Sequence, residues 1–352
     1  MKTKFKAWNR KNPDEIKVIW DSGLITFDTN VLLGLYRVPS SLSDRFFDIV
    51  KKLGDRVFIT NHVALEFHKN RFNVIVDNYS SLSKLNKEID QFEKQLNESK
   101  FQNYLSDKAK KTLKEEIVDK KTKLEARKKY YEDLEKKDVI YDKLDQLLKD
   151  KIEEPFDEKE LEEIFKEGGS RYKKLIPPGY KDHEKDENKY GDLVIWKEII
   201  RKAKSEKKSI VFISDEKKED WIWAQKDKKR IGPRPELLIE IEKEANVQFS
   251  INTLSGFIVL ASRSLNIDID EARINQEFRE EYIFENVPNT SINEKIQKLQ
   301  MEKAETIIIL DALAIRSGEL DETERNLKHE LEFKLSFLNE EIVRIQNKTY
   351  AK

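Results

Sequence analysis

The sequence contains no cysteine among its 352 residues. Disulfide bonds, thiol catalysis and cysteine-bound zinc are therefore excluded, and the chain suits a reducing compartment. Long apolar runs are missing too, because no stretch approaches the roughly 18 apolar residues of a membrane-spanning helix. The polar, lysine-rich residues Met1–Arg10 have no apolar core of the kind that a signal peptide needs. We therefore expect a cytoplasmic protein without membrane contact.

A net charge of one sign is also absent, since 67 Lys and Arg residues face 68 Asp and Glu residues. A global positive field that draws in nucleic acid is excluded, so any contact with nucleic acid must rest on local basic patches. Charged and hydrophobic residues each make up 38% of the chain. That balance indicates a folded protein with much exposed helical surface.

Glycine and proline are scarce, and neither occurs between Gly54 and Pro155. A segment of this length without helix breakers is predicted to be helical. Apolar residues within it recur at spacings of three and four, first at Leu82, Leu85, Ile89, Phe92 and Leu96. This spacing indicates a coiled-coil seam. We expect two or three long antiparallel helices over residues 77–164.

The flanks of this insertion contain short apolar runs that are typical of buried parallel strands, at residues 24–27, 57–60, 210–213 and 247–251. Amphipathic segments at 44–52 and 192–204 lie between them and supply crossover helices. We predict an α/β domain with a parallel sheet flanked by helices, formed by residues 1–76 and 165–265. Residues 266–352 are predicted to form a C-terminal helical region, with an amphipathic helix between Leu327 and Ile345.

Acidic residues follow the predicted strands at several points. Asp28 and Asp215 each come directly after a strand, Glu66 lies in the helix after the second strand, and Asp192 begins an amphipathic helix. Any one of them alone is more simply explained as a helix cap or a surface charge. In doubly wound folds, however, ligands bind beyond the carboxyl ends of the strands. Carboxylates that converge there repel each other unless they take up protons or bind a hard cation such as Mg²⁺ or Mn²⁺.

Four sequence blocks around these acids resemble the PIN-like domain family, in particular a bacterial variant with a long helical insertion. They are Phe27-Asp28-Thr29-Asn30, Ala64-Leu65-Glu66-Phe67, Tyr190-Gly191-Asp192 and Ser214-Asp215. The resemblance implies metal-dependent hydrolysis of phosphodiester bonds, most often in RNA. It implies that the four acids are catalytic and that Asp28, Asp192 and Asp215 hold one or two Mg²⁺ or Mn²⁺ ions, with Glu66 as a further ligand or as a group that orients the water. Asn30 would then fix the Asp28 carboxylate. Ser214 would contact a ligand water or a phosphate, although a hydroxyl that satisfies local backbone groups at the strand end explains it equally well.

Basic and aromatic residues near these blocks are candidates for contacts with a nucleic acid substrate. The basic candidates for the substrate backbone are Lys69, Arg71, Lys189 and Arg230. In a chain this charged, each is also explained as a solvated surface residue. Three tryptophans could stack on bases, although packing is favoured for the first of them; they are Trp196, Trp221 and Trp223. The four histidines form no zinc pattern, and we expect surface or packing roles for them.

Two other functions compete with a nuclease. An aspartyl-phosphate phosphatase also has an Asp after its first strand, but it usually needs a second Asp where this sequence has Asn30. A non-enzymatic scaffold would act through the coiled coil. Between Ser81 and Asp150 the basic and acidic residues nearly balance, which favours dimerisation or docking to a partner protein over nucleic acid binding. The resemblance to bacterial PIN-like proteins with such attachments also suggests a toxin or an antiviral defence nuclease.

Overall fold

The computed structural model describes residues 1, 3–97, 106–185, 188–226 and 229–268, and isolated positions from 270 to 339. The chain divides into two compact units. The first comprises Met1–Ser81 and Lys128–Phe278, and the second comprises Leu82–Arg127 and Arg279–Lys352. The predicted domain boundaries at residues 76, 164 and 265 stay predictions.

Helices make up most of the described residues. The α-helices are α1 Pro13–Ser22, α2 Thr29–Gly34, α3 Ser40–Leu53, α4 Asn61–Asn97, α5 Asp107–Lys136, α6 Val139–Leu148, α7 Glu158–Lys173, α8 Gly191–Glu206, α9 Pro235–Ala245 and α10 Leu254–Ser264. Single 3-10 turns lie at Lys6–Trp8, Gly54–Arg56, Lys149–Lys151 and Tyr180–Asp182. The strands are β1 Leu24–Phe27, β2 Ile210–Ile213, β3 Ile222–Ala224, β4 Arg230–Pro233 and β5 Phe249–Asn252.

A three-stranded parallel sheet in the order β1-β2-β5 forms the core of the first unit. Ile213 at the end of β2 lies opposite Phe27 on one side and Asn252 on the other, so the three strands end together. Every residue of β1 and β2 is buried, as expected for a parallel sheet covered on both faces. The predicted α/β fold, with a parallel sheet flanked by helices, is confirmed.

One strand prediction needs correction, and one pair of strands was not predicted. Residues 57–60 form only isolated bridges, from Val57 to Ile25 and from Ile59 to Ile152. Val57 and Ile59 pair with two different parts of the chain, so neither pairing extends into a continuous ladder. The sequence also gave no indication of the antiparallel hairpin that β3 and β4 form.

Aromatic side chains fill the layers around the sheet. Trp196 on α8 is fully buried and meets the ring of Trp221 edge-on. Trp221 is itself only 3% exposed and also packs on Phe212 of β2. The packing role predicted for Trp196 is therefore confirmed, whereas the suggestion that Trp221 stacks on bases is wrong because its ring belongs to the core.

The helical insertion includes parts of two long helices, and residues 82–97 of α4 and 107–127 of α5, which belong to the second unit, run antiparallel. Asn86 of α4 donates to Glu125 of α5 over 2.9 Å. Lys121 of α5 lies 2.6 Å from Asp90 and 2.5 Å from Glu93. Residues later in α4 thus contact residues earlier in α5, so the two helices run antiparallel.

The coiled-coil packing of this insertion stays a prediction. Ile117 and Leu124 of α5 are buried, but Phe92 of the predicted α4 seam is 42% exposed. Residues 98–105, with part of the predicted polar interruption, lie outside the described residues, as does most of the predicted helix between Leu327 and Ile345. No helix in the described part of the chain combines the length and apolarity needed to cross a membrane.

Candidate active site

Asp28 stands at the carboxyl end of β1, where it also caps the N-terminus of α2. Its Oδ1 accepts a hydrogen bond from the Thr29 amide over 2.7 Å. Its Oδ2 accepts from Ser214 Oγ over 2.6 Å and from Asn30 Nδ2 over 2.7 Å. Both oxygens are thus oriented by neighbours, and Ser214 brings the end of β2 to the same carboxylate.

The protonation of Asp28 reflects its surroundings. Burial raises the pKa of Asp28 to about 7, the hydrogen bond from Ser214 lowers it, and the negative charges of Glu66 and Glu216 raise it. Asp28 is therefore one member of a group of carboxylates that repel one another.

Glu66, on the second turn of α4, is held against this edge by three side chains. Thr29 Oγ1 donates to Glu66 Oε2, and Asn188 Nδ2 donates to Glu66 Oε1. His62 Nε2 lies 3.6 Å from Glu66 Oε1 and 2.9 Å from Asn188 Oδ1. Thr29 joins Glu66 to Asp28, because its amide and its hydroxyl bind one carboxylate each. His62, for which we expect a surface or packing role, thus contacts a predicted catalytic acid, and its role stays a prediction.

Asp192 lies in the first turn of α8, and the loop before it is shaped around its side chain. Gly179 has a left-handed φ of +89°, and a Cβ there would come within 3.0 Å of Asp192 Cβ. The Oδ2 atom of Asp192 is buried and has no hydrogen-bond partner among the described residues. Burial raises the pKa of Asp192 to about 7; the positive charge of Lys218 lowers it, and the negative charge of Asp28 raises it.

Lys218 was not predicted, yet its ammonium group lies among three carboxylates. Its Nζ is 3.1 Å from Asp182 Oδ2, 3.6 Å from Glu216 Oε2 and 3.8 Å from Asp192 Oδ2. Burial lowers the pKa of Lys218, but the negative charges around it outweigh burial and raise the pKa overall. Lys218 therefore stays charged and balances part of the acidic group. The only sequence signal for it is the charged run that follows β2 directly.

Asp215 and Glu216 follow β2 directly and have different surroundings. Asp215 is exposed, its Oδ1 accepts from the Leu254 amide over 3.0 Å, and its own amide donates to Asn30 Oδ1 over 3.2 Å. Glu216 is the neighbour whose charge acts on Asp28, and its amide donates to Ser214 Oγ over 3.1 Å. The structure thus brings Asp28, Glu66 and Asp192 together with Glu216. Asp215 borders the group and stays a predicted site residue.

The sequence profile of the PIN-like domain family matches residues 24–237. The chain belongs to this family. The matched range contains all four predicted acids, the helical insertion and the hairpin up to β4. No curated protein and no solved structure gives a significant match to the chain. PIN-like domains are generally nucleases, so the chain carries a domain of the nuclease type.

PIN-like nucleases usually use Mg²⁺ or Mn²⁺. Within the described ranges, no three Asp, Glu or His side chains are grouped closely enough to form a finished metal site. The donor set nevertheless fits a hard cation. The buried Asp192 Oδ2 has no hydrogen-bond partner, and both Asp28 and Asp192 have pKa values raised to about 7. Carboxylate oxygens are the ligands these ions prefer, and Lys218, 3.8 Å from Asp192 Oδ2, balances the negative charge only in part, since the pKa of Asp192 stays raised.

The basic residues predicted for substrate contact lie in different settings in the PIN-like domain. Lys69 is exposed and Lys189 is half-buried. The Arg71 guanidinium lies 4.1 Å from the ring centre of Phe72 and 4.4 Å from that of Tyr141. Its Nε and Nη1 atoms are buried without a hydrogen-bond partner among the described residues. Arg71 is therefore stacked between aromatic rings, an arrangement that sequence spacing did not indicate.

Proposed function

We propose that this chain is a metal-dependent nuclease that hydrolyses phosphodiester bonds, with RNA preferred as substrate. The observation that carries the proposal is the pairing of Asp28 and Asp192 at the carboxyl edge of the sheet. Two carboxylates with pKa values near 7, one with a buried oxygen that lacks a donor, disfavour the metal-free folded state at neutral pH. A divalent cation removes this penalty, which makes the edge suited to binding one.

Asp28 and Asp192 would hold Mg²⁺ or Mn²⁺, and Glu66 with Glu216 or Asp215 would complete the set of acids. When bound, the metal supplies an activated water and stabilises the negative charge that develops on the leaving oxygen. The chain's own residues direct the acids. Thr29, Asn30 and Ser214 orient Asp28, while Thr29 and Asn188 orient Glu66. Lys218 offsets the repulsion between the acids on its side.

The phosphatase alternative is less consistent with these contacts. The residue two positions after Asp28, Asn30, donates to the Asp28 carboxylate and cannot act as a general acid. Trapping a covalent phosphoryl-enzyme intermediate would reverse this preference.

The preference for RNA and the role as a toxin or antiviral defence effector rest on the resemblance to bacterial PIN-like proteins. We also propose that the helical insertion mediates homo-oligomerisation or docking of a partner protein. A non-enzymatic scaffold protein would use the insertion in the same way. Support comes from the charge pattern of the insertion, because Lys121 is paired with acids of the facing helix and not presented as a basic patch. Light scattering on the intact chain would measure the oligomeric state.

The nuclease proposal is tested by incubating the purified chain with single-stranded RNA, tRNA, single-stranded DNA and duplex DNA, in Mn²⁺ and in EDTA. We expect cleavage of RNA in Mn²⁺ alone, and loss of cleavage in Asp28→Asn and Asp192→Asn with the circular dichroism spectrum unchanged. Asp55→Asn is the matched control, because the Asp55 side chain is fully exposed. Cleavage by the double variant at the wild-type rate would disprove the site, and no cleavage of any substrate would disprove the activity.

A further inference from the structure

A cavity of about 280 Å³ lies between the N-terminal segment, the β3–β4 hairpin and the carboxyl end of β5. Its charged lining residues are Arg10, Lys11 and Arg230, and none of its described lining residues is acidic. Elsewhere in the chain, acidic and basic residues are equally common. The volume is close to the lower limit, about 300 Å³, of sites that enclose small organic ligands. The charge and size of the cavity favour a small anionic group.

Arg230 lines the cavity, and the negative charge of Asp215 acts on its guanidinium without satisfying all of its donors. Its Nη2 atom is buried and has no hydrogen-bond partner among the described residues. Leaving a buried donor of a charged group unsatisfied is costly. A guanidinium presents its donors as a planar fork that matches the oxygens of a phosphate. A phosphate oxygen in the cavity would therefore supply the missing acceptor.

Trp223 provides an aromatic wall beside this arginine. It lies opposite Gly232 in the hairpin, its ring is partly exposed, and its centre is 5.8 Å from that of Trp8, which meets it edge-on. Trp8 is itself 48% exposed. A cationic groove with exposed aromatic rings is the arrangement by which proteins bind single-stranded nucleic acids, since every base has a face that can stack.

The cavity adjoins the acids at the same edge of the sheet. It includes Asn252 and Thr253 at the end of β5. The Asn252 carbonyl accepts from the Ser214 amide over 2.8 Å, and Ser214 binds Asp28. Asp215 lies on the same boundary, because its carboxylate binds the Leu254 amide.

We infer that this cavity binds one nucleotide of a single-stranded substrate, with a backbone phosphate on Arg230 and a base against Trp223. The inference rests on the proposed nuclease function, since a nucleotide held here would lead the strand toward the acids. It adds a substrate contact outside the group of acids and selects single strands over duplexes, because a paired base cannot turn its face to the ring.

Binding is measured apart from cleavage by using the full chain with Asp28→Asn in EDTA and a fluorescein-labelled oligouridylate of about 12 nucleotides. Anisotropy titrations at several salt concentrations give the affinity and its salt dependence. Arg230→Ala is expected to weaken binding about tenfold and to reduce the slope of log K against log salt by about 0.7. Arg230→Lys should retain the slope. Trp223→Leu is expected to weaken binding about tenfold without changing the slope.

Two further variants keep the test decisive. Gly232→Leu keeps the Arg230 and Trp223 side chains and is expected to narrow the cavity. A Cβ at Gly232 would meet no atom within 4 Å, so the hairpin can accept it, and about tenfold weaker binding is expected. Arg201→Ala is the matched control, because the Arg201 guanidinium packs 4.2 Å from the ring centre of Phe156, outside the cavity. Its affinity should equal that of the parent.

The outcomes separate this inference from the nuclease proposal. If the parent binds the strand and both Arg230→Ala and Gly232→Leu bind it equally well, the cavity is not the nucleotide site, whatever the wild-type protein cleaves. If the parent does not bind the strand, or binds duplex RNA more tightly, the inference is also overturned. If the variants weaken binding as expected but wild-type protein cleaves nothing in Mn²⁺, the cavity stands as a single-strand site and the nuclease proposal fails.

Discussion

Replacing Asp28 by asparagine should stabilise the metal-free protein, in a manner that depends on pH. The pKa of Asp28 rises from its ordinary value of 3.8 to about 7 in the folded chain, chiefly through burial. A raised pKa means that the folded state favours the protonated carboxyl. The contribution of Asp28 to the free energy of unfolding is therefore fully present below pH 3.8, and it is lost as the pH rises toward 7. Asparagine does not ionise and avoids the loss.

The magnitude follows from the difference of about 3 between the two pKa values. At about 1.36 kcal/mol for each pKa unit, ionised Asp28 costs about 4 kcal/mol at pH 8 and about 1.6 kcal/mol at pH 5. The first figure is an upper value, because the carboxyl is only partly buried. Asparagine also mismatches one of the donors from Ser214 and Asn30, which costs about 1–2 kcal/mol at either pH. The variant should gain about 2 kcal/mol at pH 8 and almost nothing at pH 5.

Urea denaturation in EDTA at pH 5 and pH 8 measures this difference through tryptophan fluorescence. All five tryptophans lie in the first compact unit, so the signal reports the unit that carries Asp28. Asp55→Asn should match the wild type at both pH values. Adding Mn²⁺ at pH 8 should stabilise the wild type but not Asp28→Asn, since a ligand stabilises only the state that binds it. An equal stability difference at both pH values would show that the Asp28 charge is not the cause.

Three further variants probe the surroundings of the acids. Gly179→Ala should destabilise the chain by about 2–4 kcal/mol, because its left-handed backbone and close neighbours leave no room for a Cβ. The control Gly34→Ala, in open space, should change stability by less than about 1 kcal/mol. Similar urea midpoints for the two variants would contradict this prediction. Lys218→Met should raise the affinity for Mn²⁺ in calorimetry about tenfold, because the ammonium competes with the metal for carboxylates; unchanged affinity would refute the competition. Glu216→Gln should reduce cleavage at least about tenfold more than Asp215→Asn, because Glu216 is the residue whose charge acts on Asp28; equal losses would restore Asp215 as the fourth acid.

The sheet could be predicted from the sequence where local and tertiary preferences agree. The run at 210–213 is continuously apolar because β2 is the central strand and buried on both faces. The hairpin escaped prediction because β4, Arg230–Pro233, contains a glycine and a proline and is defined mainly by pairing with β3. Residues 57–60 show the opposite case, since a strand-like composition there meets two partners and forms no full ladder.

The site could be predicted only as far as chain position and family motifs allow. Asp28 follows a recognisable strand, so its place at the sheet edge is implied by the sequence. Asp182 and Lys218 lie 36 residues apart and meet only because the fold brings the loop before α8 against the segment after β2. The sequence also does not indicate whether Asp215 or Glu216 lies closer to the other acids of the site. The chain leaves β2 in an irregular segment where no periodicity fixes which side chain turns inward.

The charges at the sheet edge suggest how binding and catalysis depend on each other. The acids beyond β1 and β2 repel a phosphate as long as no cation neutralises them, whereas the cavity beyond β5 presents Arg10, Lys11 and Arg230. Under the two proposals, a strand would therefore enter the nucleotide site without metal. Its scissile phosphate would approach Asp28 and Asp192 only when the acids carry a divalent ion. Arg230 would then contribute mainly to holding the strand, and the metal would determine whether the held strand reaches the acids.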